Sequence, residues 1–422
     1  MGIGTRVVIT GVGAVTPAGI GFERLWDALV AGELHIGPIE RIDTAPLHGV
    51  HVDAEIKGWD PAASGAMTKK EVRRSDRYQQ YAMVAAHEAW QQAGIDMATE
   101  DATRCGTCIG SGCGGLRSTM DSHAALLESG STKKMNPLLG IIMEGNMAAG
   151  QVAIKYGLKG QCSCTTTACA SGAHAIGEGV RAIRHGYQDV MVVGGAEAVI
   201  NELGLGAFSN LTALSGSEDP AAASLPFDAR RDGFVLGEGA GILVLESFEH
   251  ARERGARVLG EIVGFGNTCD AYHVTAPDPE GDGPARAMRM ALEEAGVSPE
   301  ELDYLNAHGT GTQMNDAAEA KALHALCGPH AKDVLVHSVK GNIGHAIAAC
   351  GAIAAAVTAR VLAEQRVPGT CGYRVPDDAL DVWVSSTTVA DHPMRYALSN
   401  SLGFGGHNVS LAFKAVEEQP WH

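Results

Sequence analysis

Aromatic side chains make up only 5% of the 422 residues, although 45% are apolar and 54 are glycine. A core of that composition closes through small side chains and near backbone approach, not around large rings. Positive charge is scarce too: 32 Lys and Arg face 49 Asp and Glu, for a formal net charge of −17. Such a balance repels a phosphate backbone and excludes nucleic acid as a partner. Ten cysteines are too few for a disulfide scaffold, and the opening MGIGTRVVIT has no basic region followed by an apolar stretch. Free thiols and a cytoplasmic location are expected. Arg6 stands where a myristoylation signal needs Ser or Thr, which argues against that anchor. Residues 341–359, GNIGHAIAACGAIAAAVTA, lack Asp, Glu, Lys and Arg, but they are filled by Ala and Gly where a membrane span wants Leu or Ile. They read as a buried core helix, and no membrane partner is expected. No dinucleotide loop is present either, because in GVGAVTPAG Thr16 and Pro17 break the GxGxxG pattern.

What is present alternates. Short β-rich runs at 6–12, 105–110, 162–167 and 189–195 are separated by Ala-rich helical stretches near 69–94 and from about 169, the signature of an α/β chain. A weak repeat runs through it. HEAWQQAGI (87–95) and RMALEEAGV (289–297) are amphipathic and end in Ala-Gly-apolar; each is followed by a strand entering Gly-rich sequence, CIGSG and YLNAHGTGT. CTTTACASGAHAIGEG and VHSVKGNIGHAIAACG likewise both read as strand, Gly-containing turn and small-residue helix. Two similar halves, 1–255 and 256–422, are expected to meet where GILVLESFEHARERGARVLGEIVGFG passes from strand through a charged helix to a new strand. With no Pro/Ser-rich linker between them, the halves share an interface.

Cys169 lies where a β-branched run stops and a small-residue helix starts. A sulfur at a helix N-terminus has its thiolate favoured by unpaired N–H groups, and strand-to-helix elbows present nucleophiles in α/β enzymes. Cys105 and Cys108 form a CxxC with no second pair or spaced histidines to complete a zinc site, so they read as core. Cys162 and Cys164 read as structural on the strand before the nucleophile. No metal is expected. His308 sits in the Gly/Thr loop NAHGTGT. His345 opens the second-half counterpart of the helix opened by Cys169, so the repeat itself brings the two together, as a base or as N–H donors to a thioester oxygen. Lys69, Lys70, Arg73, Arg74 and Arg77 cluster in an otherwise acidic chain, either as a solvated helix face or as a docking patch for an acidic protein.

Five segments, TACASG around Cys169, HGTGT from His308, KGNIGH ending in His345, GFGG around Phe404 and PFDARRDGFVLGEGAG (226–241), together resemble the β-ketoacyl-[acyl-carrier-protein] synthases of type II fatty-acid synthesis. The resemblance implies the thiolase fold, five α-β-α-β-α layers from two similar halves, as a homodimer. It implies that Cys169 takes the growing acyl chain from the phosphopantetheine arm of acyl carrier protein, with no resident cofactor. His308 and His345 then bind malonyl thioester, promote loss of CO₂ and stabilise the enolate. Cys169 and Phe404 N–H groups form an oxyanion hole, and the Phe404 ring gates the acyl pocket. Lys340 and Glu319 are implied as a supporting ion pair, Thr310 and Thr312 as pantetheine contacts, and Cys113 as an acyl-pocket residue. Lys70, Arg73, Arg74, Lys133 and Lys134 fall where the family meets its acidic carrier. The stretch Lys340-Gly341-Asn342-Ile343-Gly344-His345 is closer to polyketide-type synthases, and His407 replaces the usual Thr of the last Gly loop. A polyketide ketosynthase, a non-catalytic chain-length partner and a degradative thiolase using Cys371 are the alternatives.

Overall fold

The apolar runs become strands and the Ala-rich stretches helices in a computed structural model, which describes residues 4–390 and 392–416. Its first half carries β1 (Val7–Thr16), a short helix α1 (Lys69–Val72), α2 (Arg77–Ala93), β2 (Cys105–Gly110), β3 (Cys162–Ser163), α3 (Ser171–Arg184), β4 (Val190–Glu197) and β5 (Gly239–Ser247). Helix α4 (Phe248–Glu253) crosses to the second half. There follow β6 (Gly260–Cys269), α5 (Asp282–Ala295), β7 (Leu302–Asn306), α6 (Gln313–Cys327), β8 (Leu335–His337), α7 (Lys340–Ile343), α8 (Cys350–Glu364), β9 (Trp383–Val384), β10 (Tyr396–Gly403) and β11 (His407–Lys414).

The two halves repeat each other strand for strand. The first is ordered β3-β2-β4-β5-β1 and the second β8-β7-β10-β11-β6, with β9 added outside β8. In both, the first three strands run parallel and the last two antiparallel. The halves join where β1 pairs with β6 through Val7↔Ile262, Val8↔Glu261 and Ile9↔Gly260. Alternation along each strand splits the core into layers. Met191 and Val193 face inward with α3 and α8, while Val190 and Val192 face outward onto α2. On the second half Leu305, Val336 and Leu398 pack outward with residues of α5 and α6. The result is helix, sheet, paired central helices, sheet, helix, the five layers the resemblance implied.

Small residues make this stacking possible. A β-carbon on Gly13 would fall 2.0 Å from the Ala85 carbonyl oxygen of α2, and one on Gly266 would fall 1.8 Å from that of Ala287 in α5. Each outer helix therefore lies directly on strand backbone, at matching places in the two halves.

Three expectations need correction. The helix expected near 69–94 is two, because Thr68 and Asp76 each form a capping box and start a new helix. The strand expected at 162–167 is confined to Cys162 and Ser163, with Cys162 exposed and Cys164 half-buried just after it. The stretch 341–359 is not one helix: α7 ends at Ile343 and α8 begins at Cys350. The apolar window Ile347–Glu364 is 83% buried within the fold, as a core helix should be.

Charge holds the junction. Buried Glu246 at the end of β5 accepts from His250 Nδ1 at 2.6 Å and Arg254 Nε at 2.7 Å, and His250 Nε2 meets Glu100 at 2.8 Å. The hydrogen bond to Glu246 and the pairing with Glu100 raise His250 from 6.5 to about 9. A folded-state value above the unfolded one stabilises fully below pH 6.5, and the stabilisation is lost as pH rises through 9. The melting temperature of His250→Gln is therefore expected to fall below wild type at pH 6 and to converge with it by pH 9 to 10. A pH-independent difference would contradict the pairing.

Candidate active site

Cys169 sits on a strained elbow. Ala168 before it has φ +50, the left-handed region that a non-glycine residue rarely occupies. The turn persists because Ser171 Oγ donates to Ala168 O at 2.6 Å and accepts from Thr167 N at 2.9 Å, after which α3 begins. The Phe404 N–H of the GFGG loop is near enough to the Cys169 sulfur to favour its thiolate. Glycine at 403 permits this, since a β-carbon there would fall 2.6 Å from Thr167 O.

Two histidines reach the same point from the second half. His308 follows β7, and its peptide is gripped on both sides: Glu319 accepts its N–H at 2.8 Å, and buried Lys340 donates to its carbonyl. Glu319 also accepts from Gly309 N at 2.9 Å and Asn400 Nδ2 at 3.1 Å. His345 lies between α7 and α8, its backbone bonded to Val235 O at 2.7 Å and to Gly237 N at 2.9 Å. Phe234 packs edge-on against its ring at 5.1 Å. The rings of His308 and His345 lie 5.3 Å apart and nearly perpendicular. The Cys169 sulfur and a nitrogen from each ring all lie within 4.8 Å of one another.

Burial decides the resting charges. It pushes the Cys169 thiol up, with Cys350 adding to the shift, while Lys340 and the Phe404 N–H oppose it only in part. This corrects the expectation of a lowered thiol pKa: the helix end is real, but desolvation outweighs it. Burial also holds both imidazoles well below 6.5, reinforced by Lys340. At neutral pH the site thus contains a thiol and two neutral rings. Among the described residues neither Nδ1 has a hydrogen-bond partner, so no neighbour fixes the tautomer and each ring can accept or donate. A soft divalent cation can bind such a donor set, but the orienting partners that metal-bound histidines normally have are missing from the described residues.

A cavity of about 290 Å³ opens onto this centre and is lined by Cys169, His308, His345, Thr310, Thr312 and Phe404. Thr310 and Thr312 hydroxyls meet at 3.0 Å. Other expected residues fall elsewhere. Lys340 and Glu319 form no direct ion pair; they clamp the His308 peptide between them. Cys113 is exposed on the single chain and does not line this cavity. His407 begins β11 beside the cavity without lining it, whereas its neighbours Gly406 and Asn408 do. His345 is not the counterpart of Cys169 in the repeat, because a further turn, Ile347–Ala349, separates it from α8. Lys70, Arg73 and Arg74 are exposed on or just after α1, and Lys133 and Lys134 on a separate exposed turn. Sequence reasoning missed Phe234, Asn400 and the buried Glu197. The first sits inside the quoted PFDARRDGF segment, where its packing role had no local signal.

Residues 4–251 match the family described as beta-ketoacyl synthase, N-terminal domain, and residues 259–374 match beta-ketoacyl synthase, C-terminal domain. The chain is 43% identical to 3-oxoacyl-[acyl-carrier-protein] synthase 2 of Staphylococcus aureus (strain COL) over 98% of this chain and 99% of that one. A beta-ketoacyl synthase from Burkholderia phymatum STM815 superposes with TM-score 0.90 at 35% identity, covering 98% and 100% of the two chains. A type II PKS ketosynthase, solved with its acyl-carrier protein and bound to the hexaketide, superposes equally well at 31% identity and the same coverage.

Proposed function

The chain belongs to the β-ketoacyl synthase family, and from that premise we propose that it is a 3-oxoacyl-[acyl-carrier-protein] synthase of fatty-acid elongation, an acyltransferase of the thiolase fold. The observation that carries the reading is one thiol and two neutral imidazoles within 4.8 Å at the floor of an open cavity. In the first half-reaction Cys169 Sγ attacks the acyl thioester carbonyl while an imidazole takes the thiol proton. The oxyanion is held by the N–H groups of Cys169 and Phe404, and the carrier's phosphopantetheine thiol leaves with the proton. In the second, malonyl thioester loses CO₂; the electron pair of the broken bond becomes an enolate whose oxygen accepts from His308 and His345. The enolate carbon then attacks the acyl-enzyme carbonyl, forming the carbon–carbon bond and breaking the C–S bond, and Cys169 leaves as a thiolate that takes a proton from solvent to restore the resting thiol. No resident cofactor or metal is needed for these steps. In this reading Thr310 and Thr312 contact the pantetheine arm and the Phe404 ring gates access to Cys169; all three line the cavity. Incubation with acyl- and malonyl-carrier thioesters should yield the 3-oxoacyl product by mass; carrier returned unchanged would sink the reading.

The polyketide alternative, favoured by the KGNIGH stretch, has the weaker support, 31% identity against 43%. The partners are acyl carrier protein and a second copy of this chain, in the cytosol. A solved relative bound to its acyl-carrier protein supports the first. For the second, Cys113, Ile141 and Met143 lie exposed on two segments that meet where Gly115 N donates to Met143 O. All ten cysteines are free thiols, as a reducing compartment favours.

Lys70, Arg73, Arg74, Lys133 and Lys134 supply the docking charge for an acidic carrier. None of them has an ion-pair partner among the described residues, so their charge is uncommitted. Arg73→Glu with Arg74→Glu is expected to raise KM for carrier-borne substrate about ten-fold at low salt while leaving small thioester mimics nearly unaffected. Equal losses on both would remove the docking role.

A further inference from the structure

Glu197, the last residue of β4, is fully buried and has no ion-pair partner among the described residues. A buried carboxyl without a counter-ion carries a large desolvation penalty, so its retention needs a reason. Its oxygens collect donors from two segments. Gly112 N lies at 2.9 Å, Cys113 N at 3.2 Å and Ser111 Oγ at 3.4 Å, and the Ala348 N–H of the second half adds to the stabilisation of the carboxylate. Ala348 follows Ile347, a β-branched residue held at φ +43, a conformation that persists only where the surroundings enforce it. A β-carbon built on Gly112 would lie 3.7 Å from Ile347 Cγ2, an ordinary van der Waals distance, so the Gly112 turn adjoins the Ile347 side chain. Ile347 in turn packs with Cys169, Val199, Ile200, Leu205 and Phe234 in one apolar cluster. The histidine-lined cavity reaches Cys169 from one side, and this cluster packs on it from another, where an acyl tail finds matching surroundings.

We propose that Glu197 is a positioning residue acting through Ile347: by gripping the N–H groups of Gly112 and Cys113 it holds their turn against that side chain beside Cys169 and so fixes which acyl chain lengths the thioester can carry. This rests on the acyl-enzyme reading above. The titratable groups that feel its charge are Tyr78 on α2, Cys113, Cys164, Cys169 and Cys350. Its negative charge also raises the Cys169 thiol, which gives a readout that a purely structural role would not move. Burial, opposed by these hydrogen bonds, brings Glu197 itself to about 7.

The test uses the full chain and Glu197→Gln, which keeps shape but turns one acceptor into a donor. Acyl adducts on Cys169 are measured by mass spectrometry across a series of straight-chain acyl-carrier thioesters, with malonyl decarboxylation and the pH dependence of Cys169 alkylation alongside. Wild type loading some chains and not others is the required baseline; wild type that takes no acyl label overturns the proposed function itself. Expected for the variant is a change of about five-fold or more in the ratio of long to short chains, decarboxylation within about two-fold of wild type, and alkylation displaced to lower pH. An unchanged ratio, or a parallel fall in loading and decarboxylation, overturns the proposal. If Glu197→Gln does not fold, Gly112→Ala takes its place, since its β-carbon would stand 2.8 Å from Glu197 Oε2; the same change of ratio supports the clamp and an unchanged ratio overturns it.

Discussion

Cys169→Gln is expected to lose acyl uptake and carbon–carbon bond formation by roughly 10⁴-fold or more, as removal of a nucleophile does elsewhere, yet to go on decarboxylating malonyl thioester. The two halves of the reaction use different groups. Acyl transfer needs the sulfur on its strained elbow, whereas decarboxylation needs only donors for the enolate oxygen, and these come from His308 and His345 on the other half of the fold. A glutamine amide at 169 occupies the place of an acyl thioester carbonyl without offering a nucleophile. The Phe404 N–H, which favours the thiolate in the resting enzyme, can meet the amide oxygen instead. Assayed separately, CO₂ release should persist while condensed product disappears. Condensing activity retained in this variant would remove Cys169 from the mechanism.

His308→Ala and His345→Ala should show the opposite pattern. Each removes one of two N–H donors aimed at a developing oxyanion in a water-poor site, worth roughly 10²- to 10³-fold for a single donor. Decarboxylation should fall by that factor in either variant. Acyl uptake by Cys169 should fall less, because the remaining imidazole can still take the thiol proton. The pH dependence has a definite sign. Both rings are held well below 6.5 by burial, and the neutral forms are the active ones, so decarboxylation should be level above pH 6.5 and fall only at more acid pH. An acid limb centred at or above 6.5 would mean that the rings are more solvated than their burial implies.

Much of this site was legible because its local signals are strong. The elbow around Cys169 announces itself as a β-branched run stopping at small residues, and the halves announce themselves through the glycines at 94 and 296, each of which closes an outer helix in the left-handed conformation. What was misread depended on contacts between distant segments. The thiol at residue 169 stands at a helix end, which sequence reveals, but its pKa is set by burial beneath the second half, which sequence does not. Lys340 and Glu319 were paired by resemblance, yet each binds the His308 peptide from its own side. The carboxyl of Glu197, which accepts the Cys113 N–H, carried no motif because its partners are backbone groups distant in sequence.

The most direct test of the account is peptide mass mapping of the enzyme after incubation with an acyl-carrier thioester. The acyl group should appear on the peptide containing Cys169 and on no other, and should leave when malonyl-carrier protein is added. A label on Cys371 or on another of the ten thiols, or a label on Cys169 that malonyl-carrier protein does not discharge, would contradict it.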